Sequence, residues 1–137
     1  MKQIKPTIFA IAFLFCLYIL FFQTEWLGIL IIENPEFPLG TLISWFMIID
    51  FTYFVYSLFP TNFNTQWARK SRKILKVFIL FGFLWGVFSY ILAGNWNWVF
   101  TSRVNFLIWV LMTSLLIICP LVFVLILIFK KILKKLI

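Results

Sequence analysis

Four long apolar runs limit what this chain can fold into. They cover residues 6–22, 39–59, 74–93 and 106–129, and a helix needs roughly 20 apolar residues to cross a bilayer. Of the 137 residues, 64% are hydrophobic and 12% are charged, whereas an average soluble domain is about half apolar and about a quarter charged. A soluble fold of this length could not bury so much apolar surface. The sequence therefore predicts an all-α integral membrane protein.

The basic residues alternate between the two sides of the predicted membrane helices. Lysines precede the first run, a basic cytoplasmic loop is expected at 60–73, and a basic cytoplasmic tail at 130–137. The two outer loops, 23–38 and 94–105, contain one basic residue between them, Arg103. Because cytoplasmic segments of membrane proteins carry an excess of Lys and Arg, this pattern predicts a four-pass transmembrane helix bundle with both termini in the cytoplasm. Residues 1–137 would form a single membrane domain.

This topology also accounts for the net charge of +8 at pH 7. The predicted partner of the basic residues is the anionic cytoplasmic leaflet of the bilayer, most simply that of a bacterial cytoplasmic membrane. Nucleic acid is not expected as a partner. The basic residues assigned to the membrane surface are Arg69, Lys70, Arg72, Lys73, Lys130, Lys131, Lys134 and Lys135.

The first run and the segment after it allow more than one interpretation. A basic start followed by an apolar run is typical of a signal peptide, but no small-residue cleavage site follows, so the run is expected to remain as the first helix. Segment 23–38 is too short and too interrupted by Pro35 and Pro38 to span. It could extend the first helix, lie in the outer interface or re-enter the bundle. Trp26, Trp96 and Trp98 suit an outer headgroup belt.

The chain lacks the residue patterns of common catalytic and cofactor sites. It contains no histidine, which excludes imidazole ligation of haem or zinc and histidine-based acid–base chemistry. No glycine-rich phosphate loop, nucleophile–base pair or metal-ligand cluster is present. Cys16 and Cys119 lie far apart in apolar runs and are expected to be buried thiols. We therefore expect no enzymatic activity, no cofactor and no metal.

Asp50 is the one charged residue near the middle of a predicted span, in the stretch WFMIIDFTYF. A charge at the bilayer centre costs on the order of 3 kcal/mol by insertion scales, so such a residue usually faces the protein interior and has a partner. Tyr53 and Ser57 share its helical face towards the cytoplasm. Three roles stay open for Asp50: a structural hydrogen bond, pairing with another membrane protein, or proton and ion coupling. The candidate structural partners are Tyr18, Thr113 and Ser114.

A second candidate feature is a stripe of small residues in the third run. Gly82, Gly86, Ser89 and Ala93 recur at helical spacing, and faces of this kind let membrane helices approach closely. The stripe is predicted to pack either inside the monomer or between subunits. Pro120, inside the fourth run, is expected to kink that helix rather than to end it.

These features predict a small membrane protein that acts by helix–helix binding. It would serve as an accessory or anchoring subunit of a larger membrane complex, or as a homo-oligomer. One alternative is a small oligomeric transporter or channel that uses Asp50 as its coupling carboxylate. A further alternative is a membrane immunity or defence protein that recognises a toxin or phage component. No residue motif in the chain establishes a protein family.

Overall fold

The computed structural model describes residues 4–59 and 66–136. Its elements in chain order are α1 (Ile4–Phe22), α2 (Thr24–Leu27), β1 (Leu30–Glu33), β2 (Glu36–Pro38), α3 (Leu39–Ser57), α4 (Gln66–Ala93) and α5 (Arg103–Leu136). Within these ranges three helices, α3, α4 and α5, are long and apolar enough to cross a membrane, and α1 is a shorter apolar helix. The chain is therefore a mainly helical integral membrane protein, as its composition predicts.

Two helices extend beyond the apolar runs into the basic segments. α4 begins at Gln66, inside the predicted cytoplasmic loop 60–73, and α5 continues to Leu136 through the predicted tail. The helices therefore extend past the apolar runs 74–93 and 106–129 that mark the predicted spans. Lys and Arg favour helix almost as strongly as Leu does. In α4, Ala68, Ser71 and Leu75 are buried at helical spacing, so the basic segment packs as part of the helix.

The predicted outer loop 23–38 is folded rather than irregular. α1 ends at Phe22, and after the short α2 the chain forms an antiparallel hairpin of β1 and β2. This arrangement excludes an extension of the first helix through the segment. Pro35 lies in the turn between β1 and β2, and Pro38 is the last residue of β2. Both prolines therefore belong to the hairpin. The backbone N–H of Leu39 donates to the carbonyl of Ile29 at 2.8 Å, which ties the start of α3 to the hairpin.

α3 lies at the centre of the helix packing. It contacts α1, α4 and α5, and α4 also packs against α5. α1 packs mainly against α3, so it lies at the edge of the assembly. Two apolar clusters join the other three helices: one around Ile48, Trp85 and Leu116, and one around Val55, Phe59 and Leu75. The core is therefore built from α3, α4 and α5.

Candidate functional site

Asp50 lies on α3 in the seam between α3 and α1. The ring of Phe13 on α1 is 5.3 Å from that of Phe51, and the buried thiol of Cys16 lies within electrostatic range of the Asp50 carboxyl. Asp50 is only 3% exposed. Among the described residues, its Oδ2 atom is buried and has no hydrogen-bond partner.

The predicted polar stripe does not connect to this carboxyl. The Tyr53 ring stacks on Phe9 with a centroid distance of 5.7 Å. The Ser57 hydroxyl donates to the carbonyl of Phe54 at 2.6 Å. The Ser57 hydroxyl is therefore satisfied by its own helix, and the residues at helical spacing from Asp50 form no hydrogen-bonded path towards it.

The structural partners considered for Asp50 also have other contacts. The Thr113 hydroxyl accepts a hydrogen bond from Trp85 Nε1 at 2.8 Å. The Tyr18 hydroxyl accepts one from the Gln23 amide at 3.4 Å, and Tyr18 is half-exposed. Neither Tyr18, Thr113 nor Ser114 bonds to Oδ2 of Asp50. Of the three roles left open by the sequence, the structure shows no hydrogen bond from these residues to Oδ2 to support the structural one.

The uncompensated carboxyl defines what this site can do chemically. Burying a polar group without a hydrogen bond is costly, and a buried charge needs a partner still more. The walls of the seam are mainly apolar and aromatic. A carboxyl in such surroundings gains most from a hydrogen-bond donor or a cation on another molecule, because the gain per bond is larger where water is scarce.

The small-residue stripe is occupied inside the monomer. Gly82, Gly86 and Ser89 are buried on α4, and the indole of Trp45 on α3 lies directly over Gly86. Trp45 Nε1 donates to the carbonyl of Gly82 at 3.0 Å. Ala93, at the end of the stripe, is only partly buried. Of the two positions left open by the sequence, the structure places the glycines against α3 rather than on the outer surface.

A tryptophan cluster near the hairpin end of the helices was not foreseen. Trp98 packs against Trp85 with ring centroids 4.7 Å apart, and Trp96 stacks on Tyr90 at 4.5 Å. These two loop tryptophans therefore turn into the protein, whereas Trp26 is 48% exposed. The sequence signal was the placement of Trp45, Trp85 and Trp109 at similar depths in successive helices.

Some basic residues have specific contacts within the protein. Arg72 donates from a terminal guanidinium nitrogen to the Tyr56 hydroxyl at 2.8 Å and lies 5.0 Å from its ring centroid. Lys130 Nζ lies 3.6 Å from the centroid of the Trp67 ring. The remaining described residues of the predicted set are exposed: Arg69, Lys70 and Lys73. The side chains of Lys131, Lys134 and Lys135 lie outside the described part of the structure.

Pro120 lies inside α5, which continues through it as one helix. Its side chain is fully buried. Because proline has no N–H, the carbonyl of Leu116 lacks its usual helical donor. Leu116 belongs to the apolar cluster that joins α5 to α3 and α4, so the altered turn lies on the packed side of the helix.

Comparison of the chain with protein-family models, with curated proteins and with solved structures gave no match. The unpartnered Asp50 in the α1–α3 seam, and the packing around it, are therefore the basis on which a function can be assigned.

Proposed function

We propose that this protein is a four-pass, non-enzymatic protein of the bacterial cytoplasmic membrane that acts by binding another membrane helix. It serves as an accessory or anchoring subunit of a larger complex, or assembles with copies of itself. The observation that carries the proposal is the buried Oδ2 of Asp50, which has no hydrogen-bond partner among the described residues, in a seam formed by two helices. A hydrogen-bond donor or cation on the partner helix completes this site.

The position of α1 supports four spans. Contacts along the seam pair Phe9 with Tyr53 and Phe13 with Phe51, so residue numbers rise along α1 as they fall along α3. The two helices are thus antiparallel and lie at the same depth. The 19 residues of α1 extend about 28 Å at 1.5 Å per residue, close to the roughly 30 Å hydrocarbon core. Both termini then lie on the side of the basic residues, which is cytoplasmic.

The edge position of α1 explains how a partner reaches Asp50. α1 packs mainly against α3, so a partner helix can lie beside α1 along the seam without disturbing the packing of α3, α4 and α5. The exposed face of α1 is apolar, with Ile11, Leu14 and Phe21 each more than half exposed. A partner helix that packs beside α1 in the membrane can extend a polar side chain from the edge of the seam towards Asp50.

Transport through the monomer has less support. Conduction of a proton or ion needs a chain of polar groups or water leading to the carboxyl, and the hydroxyls of Thr52 and Ser57 bond to their own helix instead. The aromatic pair of Phe9 and Tyr53 lies on the cytoplasmic side of Asp50. Binding is therefore the function that this geometry favours.

The test is the composition of the native complex. The tagged protein is lightly crosslinked in its own membrane, extracted in mild detergent and analysed for mass and partners. We expect a complex larger than the 16.4 kDa chain. Asp50→Asn should reduce the amount of this complex, and Asp50→Leu should abolish it. Thr52→Val is the matched control, since the Thr52 hydroxyl bonds within its helix. A wild-type monomer, or an unchanged complex in Asp50→Leu, would overturn the proposal.

A further inference from the structure

A broadly open cavity of about 560 Å³ lies at the end of the helices away from the basic segments. Its walls come from the end of α1, the hairpin, the start of α3 and the loop between α4 and α5. The volume is in the range typical of small-molecule sites. Leu20 lies near the end of α1 and Ser44 near the start of α3, so in the four-span topology proposed above the cavity is at the level of the outer lipid headgroups.

The cavity has one charged group, the exposed Glu36 carboxylate, beside the neutral polar side chains of Thr41, Ser44 and Asn97 and the indole N–H of Trp98, which has no hydrogen-bond partner among the described residues. Glu36 on β2 supplies a carboxylate, and its one side-chain hydrogen bond from the described residues is a long contact from Asn97 Nδ2 at 3.4 Å. The Thr41 hydroxyl is occupied by donating to the carbonyl of Trp96. No Lys or Arg of residues 4–59 and 66–136 lines the cavity. The wall therefore offers negative charge without a compensating cation.

The hairpin places a second carboxylate next to the first. Glu33 lies directly opposite Glu36 in the β1–β2 register, and like charges at opposed positions destabilise a strand pair. A bound cation relieves this repulsion. The remaining wall is apolar, with Leu20, Leu30 and Trp98 among its residues, so the same ligand gains by carrying a hydrocarbon chain.

We propose that this cavity binds an amphiphile whose head carries a primary ammonium group, with Glu36 as the ion-pairing residue. The ammonium donates to the Glu36 carboxylate, and the chain lies against the leucines. An ethanolamine phospholipid and a free alkylamine share this chemistry. The site is separate from Asp50 and does not depend on the helix-binding function.

The experiment titrates the purified full-length protein in a neutral detergent and counts bound ligands by native mass spectrometry. The probes are dioctanoyl phosphatidylethanolamine, dioctanoyl phosphatidylglycerol and octylammonium. We expect the ethanolamine lipid to bind about threefold more tightly than the glycerol lipid, as one exposed ion pair implies. Glu36→Gln removes this preference. Glu25→Gln, an exposed acidic residue outside the cavity, keeps it.

The octylammonium titration identifies the source of the ligand. If octylammonium binds as tightly as the ethanolamine lipid and its binding depends on Glu36, the ligand is a free amine. If octylammonium binds more weakly, the ligand is the lipid. Equal affinity of the wild type for both lipids would overturn the proposal, and so would an equal loss of preference in Glu25→Gln. If Glu36→Gln fails to fold, Ser44→Leu, which fills the cavity, decides instead: unchanged binding of the ethanolamine lipid in that variant excludes the cavity as the site.

Discussion

At the scale of single residues, Trp45 and the two glycines of α4 set the distance between α3 and α4. The indole fits over Gly86 because that position has no side chain, and its N–H then reaches the carbonyl of Gly82. Without a hydrophobic driving force between helices in lipid, such close packing and interhelical hydrogen bonds supply the attraction. The two glycines differ in how much space surrounds them, which allows a direct test.

We predict that Gly86→Ala destabilises the protein and that Gly82→Ala is tolerated. A Cβ atom at residue 86 would overlap the Trp45 ring, whereas one at residue 82 would lie 3.6 Å from Ile49 Cγ1, an ordinary contact distance. Overpacking of this kind costs typically 1–3 kcal/mol, on the order of a large point-mutant effect. Unfolding in detergent micelles, followed by circular dichroism, measures the difference. Equal stabilities of the two variants would show that the Trp45 contact is not tight.

The environment of Asp50 shows which part of a site a sequence can predict. Its burial could be predicted because a charge in an apolar run avoids lipid. The identity of its neighbours could not be predicted, because α3 is mostly apolar and its sequence has no periodicity that marks which face meets α1. Cys16 had no signal linking it to Asp50, and the partners chosen from neighbouring helices, Thr113 among them, face elsewhere.

At the scale of elements, α4 and α5 are joined by two tryptophan–hydroxyl bonds that run in opposite directions. Trp85 Nε1 on α4 donates to Thr113 on α5, and Trp109 Nε1 on α5 donates to Ser89 on α4 at 2.9 Å. Each bond satisfies an indole N–H that would otherwise lie among apolar groups. The pair fixes both the rotation and the register of the two helices.

Thr113→Val is predicted to weaken the α4–α5 contact by about 1 kcal/mol, within the range found for interhelical hydrogen bonds in membranes. The substitution keeps the shape of the side chain and removes the acceptor of the Trp85 N–H. Ser114→Ala is the matched control, because Ser114 is similarly placed on α5 and is only partly buried. The free energy of unfolding from a denaturing-detergent titration gives the comparison. A loss in Ser114→Ala as large as that in Thr113→Val would contradict this assignment.

The ends of the elements follow from forces that hydropathy does not report. The apolar runs located the helical cores of α3, α4 and α5 because length and composition decide where a chain can cross lipid. The basic extension at the start of α4 and the hairpin before α3 depend on helix propensity and on tertiary contacts such as the Leu39–Ile29 hydrogen bond. Such boundaries are set by competition between local preference and packing.

At the scale of the whole molecule, the packing is centred on one helix. α3 contacts every other long helix, and the two carboxylates singled out, Asp50 and Glu36, lie on or next to it. The hairpin covers one end of the helices with Glu33 and Glu36, while the basic residues at the start of α4 and at the end of α5 lie at the other; Arg103, at the start of α5, is on the hairpin side. The proposed topology is inferred from this separation of charge. The topology can be tested with substitutions that leave the charges unchanged.

Cysteine accessibility is expected to place Gln66 in the cytoplasm and Asn97 outside. Both residues are exposed and neutral, so Gln66→Cys and Asn97→Cys leave the charge bias intact, in a background in which Cys16 and Cys119 are replaced by alanine. A membrane-impermeant maleimide added to intact cells should label residue 97 only, and residue 66 after permeabilisation. The reverse labelling pattern would invert the topology, and labelling of both from one side would remove a span between them.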